Sequence, residues 1–144
     1  MNEYNEYIVK TGNLKAEAMY DDLSVLLKGI QGIEGAKGIL ADGEEMGLDI
    51  IEMQPTSEFP LHTHEGSHIL YILEGEGMVH IEGIDYVVDQ GDSVYVPAAF
   101  PHGVKTSPRN LSTFKFLAIG YPHHPVESTT RMQVVRDFQS SRVK

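Results

Sequence analysis

The sequence contains no cysteine, which excludes disulfide bridges and thiolate metal ligands. No apolar run approaches the roughly 20 residues needed to span a bilayer, and no basic amphipathic stretch suggests an anionic membrane surface. Basic residues are few: 11 Lys and Arg stand against 21 Asp and Glu, for a net charge of −10. Such a surface repels polyanions, so nucleic acid is not an expected partner. The first ten residues, Met1 to Lys10, are polar and acidic without an apolar centre. They do not read as a secretory signal, and the cytoplasm is the expected compartment. Several catalytic signatures are also missing. There is no P-loop, no glycine fingerprint for a dinucleotide after a strand, and no serine-centred nucleophile elbow. No stretch in the middle of the chain sustains an apolar period of 3.6 residues, so long helices are not expected there.

What the chain does have is turn formers: 14 glycines and 7 prolines in 144 residues. The length fits one domain, residues 1–144, and no linker or internal repeat divides it. Leu23 to Lys28 is a short apolar run, followed by Gly29, Gly32 and Gly35 as breakers. Short strand patterns then follow closely: Ala36 to Ala41, Gly47 to Gln54, Phe59 to His64, His68 to Leu73, Met78 to Ile81, Asp85 to Val88, Ser93 to Val96, His102 to Thr106 and Ser112 to Gly120. Gly75-Glu76-Gly77 reads as a hairpin turn. Strands this short, with turns this frequent, indicate an antiparallel sandwich or barrel. The tail from Ser128 to Lys144 suits either a short helix or a last strand. The terminal segments hold small apolar groups (Tyr7, Ile8, Val9; Met132, Val134, Val135) that could pair within the chain or extend the sheet of a second subunit.

Three of the seven histidines crowd the segment PLHTHEGSHILYI. Strand side chains alternate, so His62 and His64 point to one side. His68 opens the next strand after Glu65-Gly66-Ser67, and a hairpin there would return it beside the first two. His102 begins another strand after Pro97-Ala98-Ala99-Phe100-Pro101. Imidazoles on one face suit Zn, Ni, Cu, Fe and Co; a hydrogen-bonded histidine cluster or a solvated loop is the alternative. His80 reads as a solvated strand residue. His123 and His124 fall between Pro122 and Pro125 in an expected loop. Glu65 is placed either as an acceptor for a ligand imidazole or as a surface residue. Phe59, Leu70, Ile72, Phe100, Val104 and Phe116 could line an apolar pocket or simply pack the core.

The surroundings of these histidines resemble the two motifs of the cupins. The first, G-x5-H-x-H-x3,4-E-x6-G, falls on Thr56, His62, His64, His68 and Gly75. The second, G-x5-P-x-G-x2-H-x3-N, falls on Gly91, Pro97, Ala99, His102 and Thr106, after a gap of 15 residues. The resemblance covers about residues 36–120 and implies an all-β, double-stranded β-helix (jelly-roll) barrel. Thr56 and Ala99 stand where the motifs have turn glycines, and Thr106 where the second has asparagine. His68 replaces the usual glutamate ligand. The resemblance therefore implies one divalent transition metal per chain on His62, His64, His68 and His102. It also implies a homodimer.

Four neutral imidazoles would leave a divalent ion with a charge of about +2, which favours an anionic small-molecule ligand. Bound zinc would act as a Lewis acid, whereas iron, nickel or manganese would open oxygen chemistry. Small cupins include dioxygenases, isomerases, lyases and polyketide cyclases. A metal-dependent enzyme of that kind is the expectation. A non-catalytic ligand- or metal-sensing module is the alternative, and a storage or purely structural barrel a third. No general base is evident beyond the histidines: Tyr71, Tyr95 and Glu65 are near only in sequence, and the catalytic residues stay unassigned.

Overall fold

A computed structural model describes residues 7–136. Among them, all regular structure is β apart from one 3-10 turn at Thr11–Asn13. The strands are β1 (Glu17–Tyr20), β2 (Leu26–Ile39), β3 (Glu45–Met53), β4 (Glu58–Thr63), β5 (Ser67–Glu74), β6 (Glu76–Ile81), β7 (Ile84–Asp89), β8 (Ser93–Val96), β9 (His102–Thr106), β10 (Phe114–Tyr121) and β11 (Gln133–Val134). They form two antiparallel sheets, ordered β1-β2-β3-β10-β5-β8 and β11-β4-β9-β6-β7. This is the jelly-roll expected from the sequence. Among the described residues, no helix is long and apolar enough to cross a membrane.

The sheets face each other across one apolar cluster. In β10, burial alternates strictly, and Phe114, Phe116 and Ala118 point inward. Ile51 and Met53 from β3, Leu70 and Ile72 from β5, Phe59 from β4, Val79 from β6 and Val104 from β9 complete the centre. The period of two places every second residue of each strand against the opposite sheet.

Several expectations need correction. The sheets begin at Glu17, well before residue 36, and Gly29, Gly32 and Gly35 do not break the chain but lie inside β2. Two of them are small because neighbours are close: a Cβ on Gly32 would meet Val126 at 2.7 Å, and one on Gly35 would meet Leu48 at 2.8 Å. Glu65-Gly66-Ser67 is not a hairpin. β4 and β5 belong to different sheets, so the turn carries the chain across the barrel. At the tail, Gln133–Val134 is a strand, paired within the chain to β4. Tyr7, Ile8 and Val9 are exposed and outside any strand. Residues 1–6 and 137–144, which the terminal expectations also touched, lie outside the described residues.

The three motif departures have physical readings. Thr56 and Ala99 adopt positive φ, 69° and 59°, the left-handed region that glycine occupies without a steric penalty. Thr106 fills the asparagine position by accepting a 3.0 Å hydrogen bond from the Thr56 N–H, tying the end of β9 to the start of β4. Replacing Thr56 or Ala99 by glycine is expected to raise stability by roughly 0.5–1 kcal/mol, strain relief being partly offset by the freer unfolded chain. Urea unfolding would show this as a higher midpoint at constant slope. A lower midpoint would mean that lost side-chain contacts outweigh the strain.

Candidate metal centre

His62 and His102 are direct cross-strand partners on β4 and β9, with ring centroids 4.3 Å apart. Simple alternation would not put both Phe59 and His62 inside, since they are three residues apart. The register shifts between them: Phe59 pairs with Val104 and His62 with His102. The extra residue is a β-bulge around Pro60-Leu61, and it turns His62 into the barrel. His64 lies just beyond β4. Its carbonyl accepts from the Ala99 N–H at 2.8 Å, and Ser67 Oγ accepts from the Ala98 N–H at 3.1 Å. These bonds hold the Pro97–Pro101 loop, which delivers His102, against the turn that delivers His64.

The second nitrogens of these rings are fixed by the backbone. Nδ1 of His62 lies 2.6 Å from the Pro60 carbonyl, that of His64 2.7 Å from the Gly66 carbonyl, and that of His102 2.9 Å from the Phe100 carbonyl. A carbonyl only accepts, so each Nδ1 carries the proton and each Nε2 presents a lone pair. One ligand atom from each of the three lies within 4.8 Å of the others. Nε2 of His64 and Nε2 of His102 are 3.2 Å apart. Two lone pairs at that distance repel unless a cation lies between them. Nitrogens bound about 2.1 Å from one ion sit about 3.0 Å apart at a right angle and about 3.4 Å apart at the tetrahedral angle. The donor set therefore fits a divalent transition metal.

His68 comes from the opposite sheet and is not among those three. Its ring centroid is 4.1 Å from that of His64, and it lines the same cavity. It lies over Gly120, its partner on β10, where a Cβ would come within 2.8 Å of Nε2. Its Nδ1 is buried and lacks a hydrogen-bond partner among the described residues, a state that costs about 1–3 kcal/mol.

Burial depresses all four imidazole pKa values. His62 is held well below its usual value of 6.5 by desolvation and then by His102. His64 is lowered to about 4 and His68 to about 2, again chiefly by desolvation, and His102 is lowered by the same cause. The site is thus neutral and ready for a cation at pH 7. The unfolded chain binds protons that these four folded histidines refuse, so their contribution to stability is full above pH 6.5 and falls as the pH drops toward the folded values. Metal-free protein should lose on the order of 2 kcal/mol for each of His64 and His68 between about pH 8 and pH 5. Denaturant unfolding at the two pH values checks this; equal stability would contradict it.

The cavity is lined by the four histidines with Ile51, Phe59, Leu70, Val104, Phe116, Ala118, Arg131 and Met132, and measures about 40 Å³, room for a few waters. Of the apolar side chains expected around it, Ile72 packs in the core and Phe100 stands outside. Tyr71, Tyr95 and Glu65 are exposed, and Glu65 accepts from His124 rather than from a ligand imidazole. His80 is a half-exposed strand residue bonded to Asp85. His123 is in the expected loop but is buried, which sequence reasoning missed. Its Nδ1 donates to Glu45 at 3.0 Å and its Nε2 to Asp49 at 3.0 Å. Hydrogen bonding to Asp49, then to Glu45, raises its pKa. Asp49 also accepts from Arg131 at 2.8 Å. Glu34, Asp49 and His123 cluster as a second group of possible ligands, yet with both nitrogens donating His123 has no lone pair for an ion. An acidic residue in the apolar run GLDIIEM was the only sequence hint of this network.

Fold and cavity together define a small jelly-roll barrel with a buried histidine site. Residues 49–120 match the cupin domain family, and the chain belongs to it. The chain is 29% identical over 126 residues to the uncharacterized protein MJ1618 of Methanocaldococcus jannaschii, covering 85% of this chain and 84% of that one. It is 38% identical over 79 residues to an acireductone dioxygenase of Phaeosphaeria nodorum, covering 51% of this chain but only 45% of that enzyme. In fold it is similar to the polyketide cyclase RemF from Streptomyces resistomycificus, with a TM-score of 0.67 at 24% identity over 89% of this chain and 84% of that one.

Proposed function

We propose that this chain is a metal-dependent cupin enzyme in which His62, His64, His68 and His102 hold one divalent transition metal. Its substrate is a small, oxygen-rich, anionic molecule bound by chelation. The observation that carries the reading is the set of three Nδ1–H groups locked on backbone carbonyls. That arrangement aims the opposite nitrogens at a common point and is the usual way a protein orients ligand imidazoles. His68, with a buried nitrogen lacking a partner, is the fourth ligand in this reading. The partial match to an acireductone dioxygenase favours an enzyme over a passive module.

When bound, the metal would supply Lewis-acid polarisation or, for a redox-active ion, oxygen chemistry. The chain's own residues do the rest. Three backbone carbonyls keep the imidazoles in one tautomer. Ile51, Phe59, Leu70, Val104 and Phe116 exclude bulk water, which strengthens every charge interaction inside. Among the described residues, no carboxylate, tyrosine or lysine lines the cavity. Proton transfer there has to involve the substrate, a water or a histidine.

Protein purified without a histidine tag or chelator should contain about one divalent metal per chain by elemental analysis. Loaded protein would then be screened against β-diketones, flavonols, hydroxy-acids and keto-acids, following products and O2 uptake. Conversion of one class supports the enzyme. Metal-dependent binding with no product across all classes would favour a sensing module instead.

A further inference from the structure

Among the described residues, Arg131 is the one permanently charged side chain on the wall of the histidine cavity. It is 8% exposed. Its Nη1 donates to Asp49 at 2.8 Å and to the His124 carbonyl at 2.9 Å. Among the described residues, Nε and Nη2 donate to no protein acceptor, and neither is a fully buried orphan as His68 Nδ1 is, so both stay within reach of water or a ligand. A guanidinium has five N–H donors and keeps its charge in proteins. One nitrogen therefore anchors the group, and donors remain for something else in a largely apolar cavity.

The charge balance points the same way. Asp49 and Glu45 together offset Arg131 and His123, which donates from both nitrogens. A divalent ion on neutral imidazoles would add about two more positive charges to the same cavity. No carboxylate among the lining residues offsets them. An anion placed between ion and guanidinium relieves that repulsion, and a planar carboxylate matches the guanidinium fork.

We propose that Arg131 is the anion-recognising residue of the site, taking the carboxylate of a small acid whose oxygens also reach the metal. The inference rests on the metal-centre reading above and narrows its substrate class. The cavity of about 40 Å³ admits only a compact group. Longer ligands must extend past His64 and Met132, which also border an outer cleft of about 450 Å³ beside Glu65, Ala99 and Thr130. The ligands that fit are carboxylates with a second donor oxygen on the adjacent carbon: oxalate, 2-oxo acids and 2-hydroxy acids.

Oxalate is the probe. Calorimetric titration would compare metal-loaded wild-type protein with Arg131→Gln and Arg131→Lys, with metal content measured in each. Arg131→Gln should weaken oxalate binding on the order of tenfold to a hundredfold at unchanged metal content. Arg131→Lys should fall between, because it keeps the charge and loses the fork. Imidazole, a neutral metal ligand, should bind Arg131→Gln no more weakly than wild type, which a merely structural role for Arg131 would not produce. Arg131→Gln strips Asp49 of a partner, so Arg131→Gln/Asp49→Asn supplies a charge-balanced background and should show the same loss of oxalate affinity. Unchanged oxalate affinity in the folded Gln variants at equal metal content overturns the proposal and leaves the metal centre standing. If the wild type takes up no metal, the metal-centre reading fails. Titration of metal-free protein then decides for Arg131 alone: weaker oxalate binding in Arg131→Gln supports it, and no difference refutes it.

Discussion

Protein carrying His62→Ala and His102→Ala together should emerge from purification without bound divalent metal. The two rings are cross-strand partners, and each has its remaining nitrogen anchored to a carbonyl, so neither can be replaced by a shift of the other. Single changes at His62, His64 or His102 should each cost at least about tenfold in affinity, since even outer-shell partners of ligand histidines cost 10–100-fold. His68→Glu should keep metal, because a carboxylate is also a competent ligand, while lowering the charge of the site. Metal content is read by elemental analysis on protein whose circular dichroism shows the native sheet. A folded double variant with undiminished metal would sink the centre described here.

Asp49→Ala should be strongly destabilising. Asp49 is fully buried and joins three separate pieces of the chain: β3, the loop holding His123, and the segment holding Arg131. Removing the carboxylate leaves a guanidinium and an imidazolium facing each other out of water. Breaking a buried pair in this way costs about 3–5 kcal/mol, which for a chain of this size lowers the melting temperature on the order of 10 °C. Asp49→Asn, which retains acceptor capacity for Arg131, should lose less. A calorimetric shift under about 1 kcal/mol for Asp49→Ala would mean that the network contributes no more than a surface ion pair. The same loss should loosen the segment that carries Arg131 and Met132 into the cavity, so ligand affinity should fall along with stability.

The architecture and the ligand candidates were legible in the amino-acid pattern alone. Strand length, alternation and turn residues are local properties. Runs such as Ser93 to Val96 and His102 to Thr106 coincide with β8 and β9, and His62, His64, His68 and His102 line one cavity. The rest depends on contacts between distant segments. Whether Glu65-Gly66-Ser67 makes a hairpin or crosses between sheets rests on which strands β4 and β5 find as partners, and the turn residues are compatible with both. The bulge that turns His62 inward appears only in the register against β9; Pro60 within the strand was its faint local trace. Gly32 and Gly35 look like breakers along the chain but are clearances in space, for Val126 and Leu48. Asp49 sits in β3 where both faces carry apolar residues, so alternation could not say that it points inward. Its partners lie 74 and 82 residues away. Arg131 reaches the histidine cavity only because β11 pairs with β4 and brings the tail over the barrel. No local pattern encodes a charge pair of that span, since its energy exists only once packing has removed both groups from water.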